Sequence, residues 1–352
     1  MKNIVFRVSA SPQVGIGHFM RCLTLARMLS ALKVRIHFIC NKDLSKKFVG
    51  ILQEEGFSLS LSGLAAESVF HIEQDADLVI STLKGQRPEW LVIDHYGIDA
   101  NWERKLRPYV GKILVIDDLA NRPHDCDILL DQNLYPHLEL RYKGLIASET
   151  RTLLGPSYVL LRPEFYKQNE SQVRSTIKKV IVNFGGSDPT GETVKLLEAL
   201  KFGTDALKGT CFNIVAGPSN SRREEIRLMC EKVENAFYYE QIALEELLGD
   251  TDLAIGAGGI SMWERCFMGV PAGVIIVAEN QVEAVAEAES QGLIWNLGRS
   301  EEVSKESLLE FLCDRLQHPE KNVQMSHKCL QFMHELREQK EHPVVTIIRE
   351  EL

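Results

Sequence analysis

The segment Ser9-Ala10-Ser11-Pro12-Gln13-Val14-Gly15-Ile16-Gly17-His18-Phe19-Met20-Arg21-Cys22 lies between an apolar run, Ile4-Val5-Phe6, and a helix-like stretch. A strand, a glycine-bearing turn and a helix form the unit that offers backbone N–H groups to a phosphate at the helix N-terminus. Gly15 and Gly17 open the turn, and His18 stands at the mouth of the helix. A helix N-terminus disfavours imidazolium, so a neutral imidazole there would accept a proton from water beside a bound anion.

Other residues able to do chemistry close further strand-like runs. Asp94-His95-Tyr96-Gly97 follows Leu91-Val92-Ile93 and puts an acid, an imidazole and a phenol in series. Asp117-Asp118 and Asp131-Gln132-Asn133 extend the same edge, either as turn and cap carboxylates or as ligands of a divalent metal. No H-x-x-x-H pair accompanies them, so no metal site is assigned. There is also no G-x-S-x-G elbow for a serine nucleophile.

Glycine-rich turns recur in the second half: Gly185-Gly186-Ser187-Asp188-Pro189, Gly217-Pro218, and Gly256-Ala257-Gly258-Gly259-Ile260-Ser261 leading to Glu264. Each follows an apolar strand, the edge on which open α/β domains bind ligands. Glu264 reads either as a first-turn acid favoured by the helix dipole or as a carboxylate turned back to ribose hydroxyls. Asn280 and Gln281 read either as a helix cap or as amides that hold a sugar.

The elements that must carry these residues alternate as βαβ units. The amino-terminal half is expected to form strands at Asn3–Arg7, Arg35–Cys40, Trp90–Asp94 and Lys112–Asp117. Helices are expected at His18–Leu32, Leu44–Glu55 and Ala100–Tyr109. The alternation restarts with strands at Lys179–Phe184, Phe212–Ala216, Leu253–Ile255 and Val274–Val277. The expected division is a domain at 1–162, a polar linker at 163–176, a second α/β domain at 177–300, and terminal helices with a charged tail at 301–352.

With 352 residues, 45% of them hydrophobic and 25% charged, the chain is long enough for two globular domains. No run has the length of a bilayer span, and Met1-Lys2-Asn3 leads straight into the first strand, so a cytoplasmic protein without a membrane partner is expected. The eight cysteines form no C-x-x-C pair and read as buried thiols in a reducing compartment. A net charge of −9 argues against nucleic acid as a partner.

Several blocks together resemble a known family. They are Val14–Cys22, Ile93–Gly97, His124-Asp125-Cys126-Asp127-Ile128-Leu129-Leu130, Gly185–Asp188 and Glu279-Asn280-Gln281. In this order they resemble the UDP-2,4-diacetamido-2,4,6-trideoxy-β-L-altropyranose hydrolase family of pseudaminic acid biosynthesis, with the likeness running to about residue 300. The resemblance implies a GT-B-like fold, two Rossmann-like domains around a cleft, with UDP held mainly by the carboxyl-terminal one. It implies hydrolysis of the anomeric C–O bond with inversion and release of UDP, without metal or cofactor. A GT-B UDP-sugar transferase is the alternative. Carried onto this chain, the catalytic set is His18, Tyr96 and Asp94. The UDP-sugar set is Gly15, Gly17, Arg21, His95, Gly185, Gly186, Ser187, Asp188, Gly258, Gly259, Ile260, Glu264, Asn280 and Gln281. The Gly256–Glu264 segment departs from the family form by being richer in glycine, closer to glycosyltransferase versions.

Overall fold

The computed structural model describes residues 2–9, 17–62, 70–167, 173–203, 205–217, 219–240 and 242–352. Every candidate site residue named from the sequence falls within these ranges except Gly15, which lies outside the described residues. The chain divides into two compact units. Unit 1 comprises 1–133, 137–161 and 339–352, and unit 2 comprises 134–136 and 162–338.

Unit 1 holds β1 (Asn3–Val8), β2 (Arg35–Asn41), β3 (Ser58–Ser62), β4 (Trp90–Asp94), β5 (Lys112–Ile116), β6 (Ile128–Asp131) and β7 (Arg151–Leu154). All pair in parallel in the order β3-β2-β1-β4-β5-β6-β7. Strand order reverses between β1 and β4, which opens a crevice at their carboxyl ends where such sheets bind ligands. Phe6, Val92 and Leu114 are fully buried, as expected of strands covered on both faces. Arg7 is the exception in β1. Its guanidinium is buried and makes a two-point pair with Asp75 (2.5 and 3.1 Å), while Asn41 accepts a third bond. Trp102 Nε1 donates to the same Asp75 carboxylate, so this buried charge pair leaves few valences empty.

Unit 2 holds β8 (Lys179–Asn183), β9 (Cys211–Val215), β10 (Ala236–Tyr239), β11 (Leu253–Ala257), β12 (Ala272–Ile276) and β13 (Trp295–Arg299). They too are parallel, in the order β10-β9-β8-β11-β12-β13, with the reversal between β8 and β11. The chain is therefore two parallel-sheet α/β units, the fold class expected from the alternation.

The structure adds elements that the periodicity did not reveal. β3 alternates serine with leucine, β7 and β10 have four residues each, and β13 is interrupted by Gly298 at φ +105° with a register shift against β12. Edge strands are short and half-polar because one side faces water, which removes the apolar signal.

The carboxyl-terminal stretch also differs from expectation. Helices Lys305–Gln317 and Pro319–Phe332 pack within unit 2. The residues read as a charged tail instead contain helix Pro343–Glu350, which buries Val344, Val345, Ile347 and Ile348 in the core of unit 1. His342 caps it: Nδ1 accepts from Val344 N, and Nε2 donates to Val159 O at 3.0 Å. Burial pushes this histidine down to about 4, which keeps it neutral. In the stretch expected as a linker, Phe165 and Arg174 are buried within unit 2. All eight cysteines are free thiols, and six are buried. No described helix is long and apolar enough to cross a membrane.

Candidate active site

Helix Gly17–Ser30 begins at the carboxyl end of β1 and places His18, Arg21 and Cys22 on one face, at spacings of three and four residues. All three side chains are buried and converge on Asp94, the last residue of β4. The Ser9 amide donates to the Asp94 carbonyl at 3.0 Å, tying together the two strands that flank the order reversal.

The Asp94 carboxylate receives His18 Nδ1 at 2.5 Å on Oδ1. Arg21 grips both of its oxygens, Nε to Oδ2 at 2.5 Å and Nη2 to Oδ1 at 2.7 Å. The Cys22 thiol donates to Oδ2 at 3.6 Å. Burial alone would raise this carboxyl, but the charge of Arg21 and the hydrogen bonds from Arg21 and His18 hold it well below the usual carboxylate range. An ionised Asp94 only accepts, so the 2.5 Å contact puts the proton on His18 Nδ1. Nε2 is then the basic nitrogen, and it has no hydrogen-bond partner among the described residues. The same logic operates in hydrolase dyads, where an aspartate fixes the tautomer of a base and steadies the imidazolium it becomes. The helix end was the expected source of this control. The decisive partner is Asp94.

Arg21 continues the network, donating from Nη1 to Asp118 Oδ2 at 2.8 Å, while Tyr96 OH donates to Asp118 Oδ1 at 2.7 Å. The Tyr96 ring meets His18 edge-on, with centroids 4.4 Å apart and planes at 84°. Burial and the Asp118 charge push the Tyr96 phenol up, so it stays protonated. Asp118 was read from the sequence as a turn or cap carboxylate or a ligand of a divalent metal, not as a partner of Arg21. It joins the group because the arginine one turn beyond His18 reaches it.

His95 has another function. Its Nδ1 accepts from Gly97 N at 3.0 Å and its ring packs on Phe70, so it braces the Asp94–Gly97 turn. Burial, followed by the charge of Arg7, pulls it well below the histidine range.

The remaining acids on this edge are held by their own arginines. Asp117 accepts from Leu119 N, Ala120 N and Arg122, and stays below the usual range because Arg122, the Ala120 amide, His124 and Tyr142 together outweigh its burial. Tyr142 OH lies 3.1 Å from Asp117 Oδ2 and 2.9 Å from Asp131 Oδ2, with one hydrogen for two acceptors. Tyr142 therefore donates to one carboxylate at a time, Asp131 at the shorter distance, and cannot neutralise the crowding of acids around Asp131. Burial and the nearby Asp118 charge push Asp131 up to about 7, despite Arg141 at 3.1 Å.

Since this value lies above the ~4 of an unfolded aspartate, the native state binds the extra proton between the two. Stability from this group is greatest below pH ~4, falls through pH ~7 by up to about 4 kcal/mol, and is level above. Asp131→Asn mimics the protonated form. Its urea midpoint should exceed the wild type's by a margin that widens from pH 5 to pH 8; parallel curves across that interval would refute the raised titration of Asp131.

In unit 2 the first glycine turn is organised by Asp188, whose two carboxylate oxygens cap Glu192 N and Thr193 N at 3.0 Å each. Gly185 turns at φ +81°, and no heavy atom beyond its chain neighbours lies within 4 Å of its missing Cβ. Gly186 and Ser187 complete the turn ahead of Asp188. At the second turn, Gly259 (φ +87°) is the cap residue of helix Ile260–Phe267 and supplies no side-chain acceptor to its first amides. Glu264 is buried and faces Arg162, with Nη2 3.6 Å from Oε1; the same Nη2 lies 3.0 Å from Glu245. Burial raises Glu264, and Arg162 opposes that rise. Arg162 was not a sequence candidate, since it sits in a polar stretch with no motif around it. Asn280 is exposed, whereas Gln281 Oε1 accepts from Val277 N at 3.1 Å and stabilises the loop.

No family model matches the chain. A UDP-2,4-diacetamido-2,4,6-trideoxy-beta-L-altropyranose hydrolase of Campylobacter jejuni is 31% identical over 226 residues, 64% of this chain and 73% of that protein. The chain belongs to this hydrolase family. The Bacillus subtilis spore coat polysaccharide biosynthesis protein SpsG is 27% identical over 300 residues, 84% of this chain and 83% of its own length. An uncharacterised protein of Methanocaldococcus jannaschii is 28% identical over 293 residues, 80% of this chain, and the match spans 56% of that longer relative.

Among solved structures, Acinetobacter baumannii MurG has a TM-score of 0.66 at 12% identity, covering 99% of this chain and 100% of its own. Arabidopsis thaliana UGT89C1, complexed with UDP, has a TM-score of 0.69 at 11% identity, covering 100% and 99%. These likenesses establish the GT-B fold for this member of the hydrolase family.

Proposed function

We propose that the protein hydrolyses the anomeric C–O bond of a UDP-linked diacetamido-trideoxy sugar with inversion, releasing UDP and the free sugar. The observation that carries this reading is the His18–Asp94 pair at the strand reversal of unit 1, locked by Arg21. His18 Nε2 takes the proton of the attacking water, and Asp94 steadies the resulting imidazolium. Tyr96 stands beside the sugar. UDP leaves as a stable anion, so oriented amides at the glycine turns of unit 2 suffice to meet its charge. Among the described residues no three His, Cys, Asp or Glu side chains gather as a metal ligand set, and Asp117, Asp118 and Asp131 are engaged by arginines.

The test is turnover of UDP-linked acetamido sugars in 18O-water, run with EDTA present. The expected result is UDP release without an acceptor, unaffected by the chelator, with the label on the sugar and none on UDP. Label on UDP would mean attack at phosphorus. Release only when an acceptor sugar is added would make the enzyme a transferase, and rescue by magnesium would assign the aspartates to a metal.

A further inference from the structure

Arg265 lies in helix Ile260–Phe267 of unit 2 and is 3% exposed, yet no carboxylate is among its hydrogen-bond or ion-pair partners. The adjacent acid, Glu264, faces Arg162 instead. Nη2 of Arg265 donates to Ala257 O at 2.5 Å, while Nε is buried without a partner. The seat is shaped for the guanidinium: a Cβ on Gly256 would lie 2.1 Å from Nη1 and 2.2 Å from Asn183 O. The cation therefore sits beneath the ends of β8 and β11, where the strand order of unit 2 reverses. The charge of Glu264 offsets part of the cost of this burial, but neither oxygen of that carboxylate bonds to the guanidinium, so Arg265 keeps a positive field that a second anion could use.

Two features link this cation to the turn above it. By drawing the Ala257 carbonyl toward itself, Arg265 turns the Gly258 N–H to the opposite side of the trans peptide. The helix that follows lacks a side-chain cap, in contrast to the helix whose amides Asp188 fills. Amides, helix dipole and buried guanidinium then act with the same sign at one strand end.

We propose that Arg265 is the positioning charge for the diphosphate of the nucleotide: it orients the Gly258–Ser261 amides and supplies the fixed positive field a metal ion would otherwise provide. The inference rests on the UDP-sugar reading above. Because Arg265 acts on the diphosphate and not on the nucleoside, its loss changes the affinity for UDP and leaves that for uridine.

The experiment is calorimetric titration of the full chain with UDP and with uridine. Arg265→Gln removes the charge while keeping a polar side chain in the seat, so the expected result is a Kd for UDP raised about ten- to a hundredfold with that for uridine unchanged. Arg265→Met removes the charge and fills the buried seat with apolar atoms. It should shift the UDP-to-uridine ratio in the same direction, which keeps the test open if Arg265→Gln does not fold. Equal changes for both ligands, or none, would overturn the role of Arg265 while leaving nucleotide binding intact. A wild-type protein that binds neither UDP nor uridine would instead remove the UDP-sugar reading, and this inference with it.

Discussion

Replacing His18 with asparagine or glutamine lowers turnover by about two to four orders of magnitude, the usual contribution of a general base. The affinity for UDP should stay within a few-fold, because His18 is assigned to the water and the nucleotide to unit 2. The measurement pairs kcat from UDP release with Kd for UDP by calorimetry. A loss confined to KM would assign His18 to ground-state binding. Retention of most activity would leave the buried cluster at the end of β4 without a catalytic purpose.

Replacing Asp94 with asparagine should be at least as damaging, although it removes only a charge. The carboxamide turns its NH2 toward His18 Nδ1, which then accepts, and the ring proton moves to Nε2. His18 is left in place as the wrong tautomer. A fall of about three to four orders of magnitude is expected, with the Asp94→Asn, His18→Asn double variant little worse than either single one. The thermal midpoint must be followed in parallel, since Arg21 loses the carboxylate it grips at 2.5 and 2.7 Å. Additive losses would mean that the two residues act separately.

The parts of this arrangement that the sequence made legible are those with local signatures. Trp90–Asp94 is a run of apolar residues ending in an acid, and it forms β4 with the same bounds. His18 and Arg21 could be placed on one helix by spacing alone. What spacing could not supply was the third dimension: Asp118 reaches Arg21 across ninety-seven positions of sequence, and no pattern marks such a pair. His95 shows the converse limit. Its chemistry suited a ligand contact, but the following glycine amide takes its Nδ1 and Phe70 covers its ring. In unit 2, Asp188 and Gln281 likewise carry polar atoms that shape the loops. Side-chain type alone does not separate a group that meets a ligand from one that holds the backbone around it.

Helix Pro343–Glu350 closes the hydrophobic core of unit 1, although residues 162–338 of unit 2 precede it in the chain. On the ribosome, the sheet that bears His18 is synthesised early but cannot complete its packing until residues 343–350 emerge. During that interval the 162–338 stretch of unit 2 can fold while its elder neighbour waits with an open apolar flank. The order of synthesis and the order of completion are thus reversed in this protein.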